Sequence, residues 1–197
     1  MRRKVARILL ITIPLLALFL LPPGSFATVD ISPLCEKHGI KGEDLTRLKG
    51  LYGEVVESGV SEEELYRFFD DIISYGLDCR QLSRVLEKTL RLKKEGLPYR
   101  PVFRKVREGM AKGVPPGKVV DVTLTWGKLL EEAAGVVRAL EEKGFSVSDR
   151  EGAVILVAGY LSRGYLPDEI VERVVTRGVK YAGFSGLEAF LGQGGQR

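Results

Sequence analysis

The sequence predicts an all-α chain: tandem helix pairs in the manner of an α-solenoid, or a helical bundle, with one long central helix and a signal peptide in front. Three observations carry this. Glycines followed by apolar residues at +1 and +6 recur at Gly39, Gly59, Gly76, Gly96, Gly113 and Gly164. Gly39 to Gly76, Gly59 to Gly96 and Gly76 to Gly113 are each 37 residues, and two helices per period of about 35–45 residues is the pattern of stacked helix-pair repeats. Between the glycines, apolar residues keep i, i+3, i+4 spacing. An ordinary bundle also uses Gly stops and Pro starts, so both architectures satisfy the pattern.

Residues 1–27 read as a secretory signal. Arg2, Arg3, Lys4 and Arg7 precede the uncharged apolar run Ile8–Leu21, which is shorter than the roughly 20 residues a membrane span needs. Pro22, Pro23 and Gly24 then break the helix, and Ser25 and Ala27 place small residues at −3 and −1 of a cleavage site. An uncleaved N-terminal anchor is the competing reading. The whole chain carries 30 basic and 26 acidic residues, a net charge of +4. All four charged residues of the signal are basic, so residues 28–197 balance at 26 and 26. The positive charge therefore belongs to export and says nothing about nucleic acid. Residues 28–191 are expected to form one domain, which at this size buries about 70% of its unfolded surface. Residues 192–197 are a tail.

The elements follow in order. Ser32-Pro33 starts a short helix that Gly39 ends. Lys41–Glu57 is the first repeat helix, with Leu45, Leu48, Leu51, Tyr52, Val55 and Val56 apolar. Glu62–Tyr75 is the best marked. Ser61 and Glu64 are spaced as a capping box, Val60 and Leu65 as a hydrophobic staple, and Gly76 as the stop. Cys79–Glu95 repeats the box with Asp78 and Gln81, and Tyr99–Lys112 follows. Pro98, Pro115, Pro116 and Pro167 sit at caps or first turns, where a missing amide proton is harmless. Pro116–Lys143 is twice as long as its neighbours. Val119, Val122, Trp126, Leu129, Ala133, Val136 and Leu140 run at heptad spacing, beside a second row of Val120, Leu130, Ala134 and Val137. Val120 to Trp126 also alternates like a strand; the heptad accounts for more residues and predicts a helix, either continuous or broken near Gly127. Ser148 and Glu151 cap a helix over Asp149–Arg163, Asp168–Arg177 is short, and Ser185 with Glu188 caps a last turn.

Chemistry is sparse. His38 is the single histidine. Cys35 and His38 have metal-ligand spacing, Cys79 is a third candidate, and a structural zinc needs a fourth. Metal, cofactor and nucleophilic triad are therefore not expected. In an exported chain, Cys35 and Cys79 are expected to form a disulfide closing 44 residues. Glu62, Glu63, Glu64, Asp70 and Asp71 sit in a first turn or on a solvated face, so no carboxylate is marked for acid catalysis. One feature exceeds background. Residues 54–78 carry eight acids and one base, and residues 79–112 carry eleven bases and three acids. The binding candidates are Arg80, Arg84, Lys88, Arg91, Arg100, Arg104, Lys105 and Arg107. They form either a basic face for an anionic partner or one half of an internal charge match. Tyr99 is the one aromatic placed to face outward among those bases, too little for base stacking.

The expected function is that of an exported, non-enzymatic protein of a bacterial envelope, periplasmic or extracellular. It would bind a protein or an anionic envelope polymer or lipid, not nucleic acid or a small-molecule substrate. The alternatives are a cell-wall-acting enzyme with a buried carboxylate, and a redox or metal-sensing module using Cys35, Cys79 and His38.

Overall fold

The computed structural model describes residues 29–176. The expected signal peptide, the turn capped by Ser185 and Glu188, and the tail at 192–197 lie outside the described residues. Eight helices follow one another: α1 (Ser32–Lys37), α2 (Gly42–Glu57), α3 (Glu62–Ser74), α4 (Cys79–Lys94), α5 (Arg100–Ala111), α6 (Pro116–Glu142), α7 (Arg150–Leu161) and α8 (Pro167–Thr176). There is no strand among the described residues. The alternation from Val120 to Trp126 is overridden because its apolar residues also fall on a helical seam that has helices to pack on.

The six glycines of the sequence rule all adopt positive φ, from +65° to +95°. Each ends a helix in a region that side chains with a Cβ rarely occupy. The rule's +1 position has a double role. Leu77 donates its amide to the Ile72 carbonyl, Leu97 to Leu92, Val114 to Gly109 and Tyr165 to Tyr160, the longer bond of a Schellman cap. The same residue precedes the next helix's N-cap, and the +6 residue then falls on its fourth position, as Val60 and Leu65 do around Ser61. The loop before α5 is one residue longer. Pro98 therefore precedes the cap residue Tyr99, and Pro101 occupies the first turn instead.

Three local expectations are corrected. Ser61 accepts from the Glu64 amide, but the Glu64 carboxylate does not return the bond; it is taken by Tyr99 and Arg100. Asp149, not Ser148, caps α7 by accepting from the Gly152 amide at 2.9 Å, because the helix starts one residue later than the Ser148–Glu151 spacing implies. α6 runs unbroken through Gly127, and its more buried seam is the second row. Val120, Thr123, Gly127, Leu130, Ala134 and Val137 are all buried, whereas Val122 of the first row is 46% exposed.

α2 packs on α4, α4 on α6 and α6 on α8; α5 and α7 also pack on α6, and α1 rests on α2. α3 is held by aromatic contacts. The Tyr52 and Phe69 rings meet edge to face at 5.9 Å, and Phe68 stacks on Phe103 at 3.8 Å. One continuous hydrophobic core runs from Ile31 to Val174.

Candidate functional site

The eight basic candidates are divided between α4 and α5. Those of α4 turn toward α6: Arg84 meets Asp121 at 3.4 Å, Lys88 meets Glu131 at 2.8 Å, and Arg91 meets Glu131 at 3.2 Å as well as Glu95. Those of α5 turn toward α3: Arg100 meets Glu64 and Arg107 meets Asp71. Lys105 pairs with Glu108 inside its own helix and lies over the Trp126 ring. Arg80 and Arg104 make no ion pair among the described residues. Lys94, Arg100 and Arg107 thus meet acids of the acid-rich stretch, whereas Arg84, Lys88 and Arg91 meet Asp121 and Glu131 of α6, outside it. Several partners sit about one period apart, 36 residues for both Arg100–Glu64 and Arg107–Asp71, 37 for Arg84–Asp121, and 40 for Arg47–Glu87 and Lys94–Glu54, while Lys88–Glu131 spans 43.

The expected disulfide is absent. Cys35 is fully buried where α1 rests on α2, and Cys79, the first residue of α4, directs its thiol to the Asp44 carbonyl 3.9 Å away. Burial first, and the neighbouring Cys79 next, pushes the Cys35 thiol up to about 11. Such a thiol is a poor nucleophile. His38 is exposed. Among the described residues no group of three or more His, Cys, Asp or Glu is placed to hold a metal ion, and no helix is long and apolar enough to cross a membrane. No Asp or Glu among them is buried.

A concavity among the described residues lies elsewhere, where the α2–α3 and α4–α5 turns meet the first turn of α7. It is a cleft of about 450 Å³, within the range of ligand sites. One wall carries Lys93, Tyr99 and Arg100, with Leu97 and Pro98 beside them; the other carries Arg150, Glu151 and Val154. Tyr99 is the hinge of this wall. Sequence reasoning places it outward, yet it is only 9% exposed. Its ring has Lys93 at 5.5 Å on one flank and Arg100 at 5.8 Å on another, and its hydroxyl donates to Glu64 at 3.1 Å. Burial, with the Glu64 carboxylate second, pushes its phenol above the ordinary value. Glu64 also bonds Arg100 through Nε and Nη2 and holds that guanidinium in its charged form. On the far wall Arg150 meets Glu141 at 3.5 Å.

The cleft follows from helix length. α2 and α4 have 16 residues each and α6 has 27. The interval from Gly96 to Gly144 is correspondingly 48 residues instead of 37. Eleven extra residues add about three turns, or ~16 Å. The chain therefore enters α7 further out, and its first turn faces the α4–α5 loop across the gap. Of the basic candidates, Arg100 alone lines it. Lys93, Arg150 and Glu151 were missed because their meeting depends on how far α6 runs past α4, and the only trace of that in the sequence is the 48-residue interval. No known family, curated protein or solved structure matches this chain.

Proposed function

We propose that this is an exported, non-enzymatic helix-pair repeat protein of a bacterial envelope whose role is to bind another macromolecule. The observation that carries the reading is the recurrence of inter-helix ties about one 37-residue period apart, joining α2 to α4, α4 to α6 and α3 to α5. Ties of one spacing between alternate helices are what a stack of similar units produces, and such stacks serve as extended binding surfaces. Residues 1–27 would direct export and be removed. The binding end would be the one bearing the cleft, where Lys93, Arg100 and Arg150 meet. A carboxylate held desolvated for catalysis has no candidate among the described residues, so the cell-wall enzyme gains no support.

Two measurements test this. N-terminal sequencing of the chain recovered outside the cytoplasm should begin at Thr28. The mature chain should retain a macromolecule from envelope extract, and an Arg100→Glu/Arg150→Glu variant of unchanged helicity should lose it. Raising salt from about 0.05 M to 0.5 M should weaken retention if the contact is ionic. Retention unaltered by the double variant, or a purified chain that cleaves cell-wall polymer, would overturn the reading.

A further inference from the structure

Along the last turn of α4 the bases have acidic partners. Arg91 meets Glu95 and Glu131, and Lys94 meets Glu54. Lys93, between them, meets no carboxylate among the described residues. One period along the chain in either direction, the matching positions are Val56 and Leu130, which offer no charge. Its stem passes Gly59, where a Cβ would stand 3.5 Å from Lys93 Cε, and its ammonium lies over the Tyr99 ring. Lys93 is half-buried and lines the cleft. An ammonium that lines a cleft and has no carboxylate partner is open to an anionic ligand.

Arg100 and Arg150 line the same cleft and are held by Glu64 and Glu141, neither of which is on its walls. Arg100 spends Nε and Nη2 on Glu64, which leaves Nη1 for another acceptor. Three cations therefore reach the cleft from three separate elements, α4, α5 and α7, against one wall carboxylate, Glu151.

We propose that the cleft binds a phosphate monoester, with Lys93 as the point charge and the Arg100 and Arg150 guanidiniums as flanking donors. A planar carboxylate offers two oxygens and suits a single arginine fork. A tetrahedral phosphate offers three oxygens to donors arriving from three directions, and its charge of about −1.5 to −2 supplies the counter-ion that Lys93 lacks. The space exceeds what phosphate alone needs, and Leu97, Pro98 and Val154 give the organic body an apolar wall. The ester is either a soluble molecule or a lipid headgroup; both present the same group. Nothing in this site requires the chain to be exported or to be a repeat protein.

Isothermal titration of the purified protein at low ionic strength, with glycerol 3-phosphate and with inorganic phosphate, tests the site. Saturable binding at one site per chain is expected. Lys93→Gln and Arg150→Gln should each weaken it roughly tenfold or more, the loss of one charge-assisted hydrogen bond. Lys94→Gln removes a neighbouring ammonium that faces Glu54 and should leave binding unchanged. Thermal melts confirm that each variant is folded. Sedimentation with phosphatidylcholine vesicles, with and without phosphatidic acid, separates the sources: retention only with phosphatidic acid assigns a lipid headgroup, and none with either assigns a soluble ester. Absence of saturable binding to every probe, or equal weakening by Lys94→Gln, would refute the site.

Discussion

Gly76 and Gly135 separate two roles of one residue type. Both have open space where a Cβ would stand, but Gly76 has φ +95° and Gly135 lies at helical φ inside α6. Gly76→Ala therefore meets no clash and is destabilised by backbone strain alone, about 1–2 kcal/mol. Gly135→Ala should instead stabilise by about 0.5–1 kcal/mol, since alanine has less backbone freedom to lose. Urea unfolding should show opposite shifts in midpoint at an unchanged slope; shifts of one sign would contradict the capping role. Cys35 tests burial. Its thiol is raised from 9.0 to about 11, so the neutral form is favoured in the fold. That contribution is fully present below pH 9 and lost as pH rises through 11. Urea stability should fall over this alkaline window, and Cys35→Ser should flatten the fall. In denaturant without reductant both cysteines should react with a thiol reagent; a single reactive thiol or none would contradict the free pair.

At the scale of elements, the contact between α4 and α6 is set by a small residue and a nearly buried ion pair. A Cβ on Gly127 would stand 2.7 Å from Lys88 Cδ, so glycine makes room for the lysine stem. The ammonium then reaches Glu131 with side chains only 11% and 19% exposed. Arg47 and Glu87 tie α2 to α4 at 3.0 Å but are 62% and 51% exposed. Double-mutant cycles should give a coupling of about 1–2 kcal/mol for Lys88–Glu131 and below about 1 kcal/mol for Arg47–Glu87. Equal couplings would show that burial does not rank these ties. The heptad on α6 was visible in the sequence, but the choice of seam was not. Thr123 and Gly127 carry no hydrophobic signal, and only a partner bringing Lys88 across makes their row the buried one.

For the whole molecule, α6 is the spine: α4, α5, α7 and α8 all pack on it. α1 touches little beyond α2, and near α8 Leu166 is 66% and Val175 40% exposed. Hydrogen exchange should accordingly be slowest in α4 and α6, through global unfolding, and fastest in α1 and α8, through local opening. Protection that is uniform from α1 to α8 would contradict a spine with loosely held ends.

The sequence by itself determined the helices, because their limits are local chemistry. A glycine at positive φ, an apolar residue serving two helix ends, and an Asp or Ser cap act within a few residues of one another. It also held part of the charge match, the acids before residue 79 that Lys94, Arg100 and Arg107 meet. Only the tertiary structure decided that six of the eleven bases in residues 79–112 meet acids on another helix, that Cys35 and Cys79 remain unbonded, and that Lys93, Arg100 and Arg150 surround one cleft. Each of these depends on how far one helix slides past another, and that offset is the balance of contacts along the whole seam.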